Sequence, residues 1–203
     1  ISGISAAVHL RKQCPELKVV MLEARGAVGG TWDLFRYPGV RSDSDMHTLG
    51  FAFRPWTAAK AIADGPSIRS YLHETMDEYD LGGLVHFQHR VLGADWDSGS
   101  QRWALRVDTP QGESLIATQF LFMCGGYYRY DQAYEAPIPG LATFAGQRVH
   151  PQFWPEDLDY AGKRVAVIGS GATAMTLVPA MAERGAQVTM VQRSPTYVVS
   201  RPA

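Results

Sequence analysis

The sequence is poor in cysteine: Cys14 and Cys124 are the only two in 203 residues. Two thiols cannot build the disulfide framework of a small secreted domain, and no CxxC or Cys/His pair has zinc-ligand spacing. They read as reduced, largely buried thiols of a cytoplasmic protein, with peripheral membrane association left open. Long apolar runs are also missing. The longest, residues 120–128, is interrupted by Gly125 and Gly126 and falls short of the ~18 residues that a spanning helix needs, so no integral membrane segment is expected. The chain opens Ile1-Ser2-Gly3, without a charged n-region or the apolar stretch of a signal peptide. There is no excess of one charge either: the net value of −1 gives no reason to expect a nucleic-acid partner. His73, His86 and His89 do not share metal spacing on one helix and read as surface histidines. Ser170 lies in GSGATA, not GxSxG, so it is no nucleophile elbow.

What is present is a globular composition, 46% hydrophobic and 19% charged, with a grammar that occurs twice. Residues 2–13 read as a helix with Ile4, Ala7, Val8 and Arg11 on one face and Pro15 beyond its end. Residues 18–23 follow as a strand ending on Glu23, then a glycine loop. Residues 31–66 are aromatic and irregular. A helix is predicted over 67–79 with Ser67 as N-cap. Several strands are predicted between 86 and 118, with a turn at 110–112, and 120–124 reads as a buried strand. After a connector, the grammar restarts: a strand over 164–168, a glycine turn over 169–174, a helix over 175–184 and a strand over 187–192. The predicted fold class is α/β, with two Rossmann-like dinucleotide-binding domains.

Each unit carries a candidate nucleotide site. Glycines at a strand–helix turn let the backbone approach a pyrophosphate, whose charge meets the free N–H groups of the helix start. An acid about 20 residues further on holds the ribose hydroxyls. Gly3 and Glu23 have that separation, so Gly3 is read as the last glycine of a GxGxxG; a helix that merely begins with glycine remains the alternative. The second turn, Gly169-Ser170-Gly171-Ala172-Thr173-Ala174, is a GxGxxA in full strand–turn–helix–strand context. Its second strand leads into Arg193-Ser194, not an acid. A guanidinium there suits a 2′-phosphate, which favours NADPH over NADH.

Between the two sites, Phe144, Gly146, His150, Trp154 and Pro155 fit the spacing FxGxxxHxxxWP. The chain thereby resembles the flavin-dependent Baeyer–Villiger monooxygenases. The stretches 29–51 and 150–174 are similar in particular to the ethionamide-activating FAD monooxygenase subgroup. The resemblance covers essentially the whole chain. It implies that Gly29-Gly30-Thr31-Trp32 lies along the flavin of FAD, and that His150 and Trp154 sit at a hinge between an FAD and an NADP domain. It also implies that Asp43 positions a catalytic arginine beyond residue 203; an Asx-turn is the bland role for Asp43, and Asp45 reads as structural. Trp32, Trp56, Trp96 and Trp103 read as core or flavin packing. The implied organisation is an FAD-binding domain over 1–143, a linker over 144–162 and the start of an NADP-binding domain at 163–203.

The implied reaction uses NADPH, FAD and O2. A C4a-peroxyflavin attacks a ketone, or oxidises the sulfur of a sulfide or thioamide. A related N/S-oxidising flavin monooxygenase is the alternative, against which Trp154-Pro155 argues. A non-catalytic flavin-binding fragment is the other. The resemblance further implies that the opening strand, its first glycines and the C-terminal half lie outside these 203 residues. A chain without its central strand is expected to be marginally stable and to hold FAD poorly.

Overall fold

Helix α1 (Ser2–Gln13) buries Ile4, Ala7 and Val8, the i, i+3, i+4 stripe the sequence predicts. Arg11 is exposed instead: its guanidinium reaches out to Tyr79 O at 3.1 Å and Asp80 O at 2.6 Å. The structure is a computed structural model, and it describes residues 1–199.

The chain divides into two compact units. One comprises Ile1–Gly30 and Arg69–Tyr127; the other comprises Thr31–Ile68 and the chain from Tyr128 onward. In the first, β1 (Met21–Glu23) runs parallel to β2 (Val85–Phe87), with Glu23 opposite Phe87. β1 is shorter than the predicted 18–23. Its strand partner among the described residues is β2, three residues long, and a ladder extends only as far as both strands do. An antiparallel meander follows: β3 (Arg90–Asp97), β4 (Arg102–Thr109) and β5 (Gly112–Thr118). Trp96 and Trp103 face each other across β3 and β4, ring centroids 5.5 Å apart, while Leu105 and Val107 are buried.

The predicted strand at 120–124 is not formed. No strand is assigned there, and Phe120, Phe122 and Met123 are exposed. Apolar composition marks a segment that would gain from burial, but a strand also requires a neighbour to satisfy its N–H and C=O groups. No described strand pairs with it.

Two short helices punctuate the region read as irregular, α2 (Thr31–Leu34) and α3 (Met46–Leu49). Asp45 caps α3, accepting from Thr48 N–H at 2.9 Å. That backbone donor holds the Asp45 carboxyl below its ordinary range, in keeping with a structural role. Helix α4 spans Gly65–Glu78, and its cap differs from the prediction. Asp64, not Ser67, accepts from the Ser67 N–H, at 2.7 Å. Pro66 explains the shift: its fixed φ and missing N–H suit the first turn of a helix, which places the cap before it. Asp64→Ala should therefore cost about 1 kcal/mol and Ser67→Ala less than ~0.5 kcal/mol, read from urea midpoints.

In the second unit, β6 (Arg164–Ile168) and β7 (Gln187–Val191) pair in parallel on either side, in sequence, of α5 (Ala172–Glu183). The core of this unit gathers Leu177 and Met181 of α5 with Tyr37, Tyr160 and Ala186. Trp154, Val165 and Val188 pack against it. Tyr37 belongs to the loop after α2, so residues distant in sequence share one core.

Candidate functional site

The first unit holds Gly3, Glu23, Gly29 and Gly30. Gly3 lies in the first turn of α1, whose N-cap Ile1 makes no side-chain cap bond. Glu23 ends β1, and its Oε1 accepts from Arg25 N–H at 2.9 Å. A carboxylate has about four acceptor positions, so this bond leaves capacity for ribose hydroxyls. Gly29 and Gly30 have φ of 132° and 57°, left-handed values that L side chains rarely adopt. The backbone itself thus favours glycine at both positions, most strongly at Gly29.

The other candidates lie in the second unit. Thr31 and Trp32 open α2. Asp43 is exposed, and the local turn is made by its neighbour: Ser42 Oγ accepts from Ser44 N–H at 3.1 Å. His150 caps a 3-10 turn (Pro151–Phe153), with Nδ1 accepting from Gln152 N–H at 3.2 Å. An accepting Nδ1 places the proton of the neutral ring on Nε2, leaving a donor available. Gln152 is buried and donates to Arg129 O at 2.6 Å, which ties the fingerprint to the connector. Trp154 meets Tyr160 edge-on, centroids 5.9 Å apart. Phe144 and Gly146 are neighbours: a Cβ on Gly146 would lie 2.5 Å from the tip of the Phe144 ring, an exposed side chain with room to turn aside.

The glycine turn is built where β6 ends. Gly169 N–H donates to Val191 O at 2.8 Å, and the first bond of α5 runs from Met175 N–H to Gly171 O. The helix therefore starts at Ala172, one turn earlier than predicted. Ala172, Thr173 and Ala174 form its first turn, with N–H groups that have no acceptor inside the helix. Gly171 is the N-cap and supplies no side-chain cap. A Cβ on Gly169 or Gly171 would meet nothing within 4 Å. Open space, free donors and a helix dipole are what a pyrophosphate needs.

The end of β7 is fastened to this turn by contacts the sequence did not suggest. Ser170 Oγ donates to Ser194 O at 3.2 Å, and Thr196 Oγ1 donates to Ser170 O at 2.5 Å. Ser194 thus lies beside the glycine turn, with exposed Arg193 adjacent in the chain. A hydroxyl bonding to a backbone 26 residues away leaves no spacing signal. A second feature was also missed. A cleft of about 530 Å³ is lined by Trp32, Tyr37, Arg36, Arg41 and Lys60, among others. Arg36 pairs with the buried Asp33 at 2.8 Å. These cations are scattered through an irregular loop, and only folding gathers them.

Two family profiles match the chain: NAD(P)-binding Rossmann-like domain over residues 1–65, and flavin-binding monooxygenase-like over residues 62–203. The chain belongs to the flavin-binding monooxygenase-like family. Within reach of it, an FAD-containing monooxygenase EthA of Mycolicibacterium smegmatis is 57% identical over all 203 residues, and a probable FAD-binding monooxygenase AlmA of Acinetobacter baylyi is 53% identical. The chain spans 41% of the length of each of these relatives. Among solved structures, an oxidized steroid monooxygenase bound to NADP superposes with a TM-score of 0.82 at 34% identity, covering 97% of this chain and 38% of that one. A cyclohexanone monooxygenase from Rhodococcus sp. Phi1 bound to NADP+ superposes at 0.79 and 32% identity, covering 97% and 37%. These solved monooxygenases thus share the α/β fold described above over 97% of this chain, and the Rossmann-like match lies at its N-terminal end. Among the described residues, no helix is long and apolar enough to cross a membrane.

Proposed function

We propose that the protein is part of an FAD- and NADPH-dependent monooxygenase of Baeyer–Villiger type. It inserts one oxygen atom of O2 into ketones, giving esters or lactones, or oxidises sulfur in sulfides or thioamides, or does both. The observation that carries this reading is the Phe144–Pro155 fingerprint, set directly ahead of a β6–α5–β7 unit whose glycine turn leaves room for a pyrophosphate. The printed names of the relatives, FAD-containing monooxygenases, and the NADP in the solved neighbours support the cofactor pair.

In this reading residues 1–143 serve FAD, residues from 163 onward serve NADPH, and 144–162 link them. The start of α1 at Gly3 takes the FAD pyrophosphate, and Glu23 takes the adjoining ribose. Gly29 and Gly30 let the loop approach the cofactor, with Thr31 and Trp32 beside it. Gly169, Gly171 and the N–H groups of Ala172, Thr173 and Ala174 hold the NADPH pyrophosphate. Arg193 and Ser194 hold its 2′-phosphate. His150 offers its Nε2–H as a donor at the linker, and Asp43 orients a cationic partner. The flavin, when bound, supplies the redox and oxygen chemistry; the chain binds, orients and excludes water. A cytoplasmic setting accords with NADPH as reductant and with two unpaired thiols.

The direct test supplies the intact enzyme with NADPH, isotopically labelled O2 and either a cyclic ketone or an aryl sulfide. One labelled oxygen in a lactone or sulfoxide is expected. NADPH consumption with neither product would overturn the reading. Cofactor choice has its own test. Arg193→Gln removes charge-assisted bonds worth about 1.5–3 kcal/mol, so NADPH affinity should fall roughly 10- to 100-fold while NADH affinity holds. Anaerobic titration of flavin reduction reads both.

A further inference from the structure

We propose that His86 and His89 form an exchangeable two-imidazole site for a divalent transition metal of the zinc, copper or nickel kind, at the end of β2. In a regular strand these residues, an odd number apart, would point to opposite faces. They do not, because Gln88 between them adopts a left-handed φ of 57°. That conformation is uncommon for a residue with a side chain, and such departures concentrate at turns and ligand clamps. It turns the chain so that the two rings meet, with centroids 5.3 Å apart and planes at 61°. Two imidazoles on one tetrahedral ion, with metal–nitrogen bonds of about 2.0–2.1 Å, put their ring centroids roughly 5.2 Å apart.

The protonation pattern of His89 also suits a ligand. Its Nδ1 lies 2.7 Å from Phe87 O. A carbonyl oxygen can only accept, so Nδ1 carries the proton and Nε2 keeps its lone pair. A backbone carbonyl on the far nitrogen is the usual outer-shell partner of a metal-binding histidine, fixing tautomer and ring orientation. His86 is exposed, which gives the ion a route in. Among the described residues, no group of three or more His, Cys, Asp or Glu is placed to hold a metal. Water therefore completes the shell, and the site is exchangeable, not a structural staple.

Its position gives it a consequence. The His89 N–H donates to Glu23 O at 2.9 Å, and the Gln88 N–H donates to Arg25 O at 3.0 Å. The histidine turn thus grips the end of β1, where Glu23 sits. Metal occupancy would stiffen that grip, and, on the reading of Glu23 as ribose acceptor, would act on the FAD site.

The test is calorimetric titration of the full chain with zinc, and separately with nickel. One ion per chain is expected. His86→Ala and His89→Ala should each weaken binding at least about 10-fold, the lower end of what loss of even an outer-shell partner costs. His73→Ala, on the exposed face of α4, should leave binding unchanged. His86→Ala alters an exposed side chain, so it keeps the test decisive if His89→Ala does not fold. Absence of zinc and nickel binding, or binding that survives both substitutions, would overturn the proposal. Both results are independent of FAD. If the ions bind as expected but leave FAD affinity unmoved, the metal site stands and the link through Glu23 falls.

Discussion

Gly39→Ala should destabilise the second unit by about 2–5 kcal/mol, a large part of the roughly 5–15 kcal/mol that holds a domain folded. Two effects add. Gly39 has a φ of 78°, and an L residue in the left-handed region costs about 1–2 kcal/mol. The new methyl would also lie 2.4 Å from the Thr176 carbonyl oxygen and 2.9 Å from Ala180 Cβ. Both belong to α5, whose backbone cannot yield without breaking its own hydrogen bonds, and overpacking of this kind costs about 1–3 kcal/mol or more. Gly140 separates the two effects. Its φ is also 78°, but a Cβ there meets nothing within 4 Å. Gly140→Ala should show the conformational cost alone, and the difference between the variants measures the clash. The readout is the urea midpoint followed by tryptophan fluorescence. Equal shifts for the two would mean that the loop carrying Tyr37 and Gly39 is not seated on α5.

This contact marks what local sequence can and cannot disclose. The β6–α5–β7 unit was legible because its signals are local: alternating strand residues, glycines at fixed spacing, and a helix whose apolar positions repeat with the right period. α1 was legible for the same reason. Gly39 was not, because its constraint comes from a helix more than a hundred residues later. The same holds for the cations of the Trp32 cleft and for Thr196 on Ser170. Residues 120–124 were misread in the other direction: composition reports the gain from burial, while burial depends on a neighbouring strand. Ser67 reads as the α4 cap in the sequence, but Pro66 sets the helix start one residue ahead of itself, at Gly65, and gives the cap to Asp64. Of the proposed site, the spacing singled out the glycine turn and Glu23. The fastening of Arg193-Ser194 to that turn needed the structure.

Gly171→Ala is expected to separate ligand from fold. Glycine is usually kept for one of two reasons: a left-handed backbone, or no room for a Cβ. Neither applies here. Gly171 has φ −76° and ψ −177°, extended backbone open to any residue, and its Cβ position is empty to 4 Å. The protein alone gives no steric reason for glycine. Loss of the small preference for glycine over alanine at an N-cap should cost less than about 1 kcal/mol. In the proposed reading, the space belongs to the NADPH pyrophosphate, drawn against the N–H groups of Ala172, Thr173 and Ala174. A methyl group there holds the phosphates away from those donors, and loss of a single charge-assisted bond of about 1.5–3 kcal/mol lowers affinity at least tenfold. NADPH affinity should therefore fall by that factor or more while the urea midpoint hardly moves. Gly169 would be a poorer probe, because its φ of 121° mixes folding cost with ligand loss. If Gly171→Ala binds NADPH as tightly as the parent, the pyrophosphate is held elsewhere. The basic cleft beside Trp32 would then be the next place to substitute, beginning with Lys60 and Arg41.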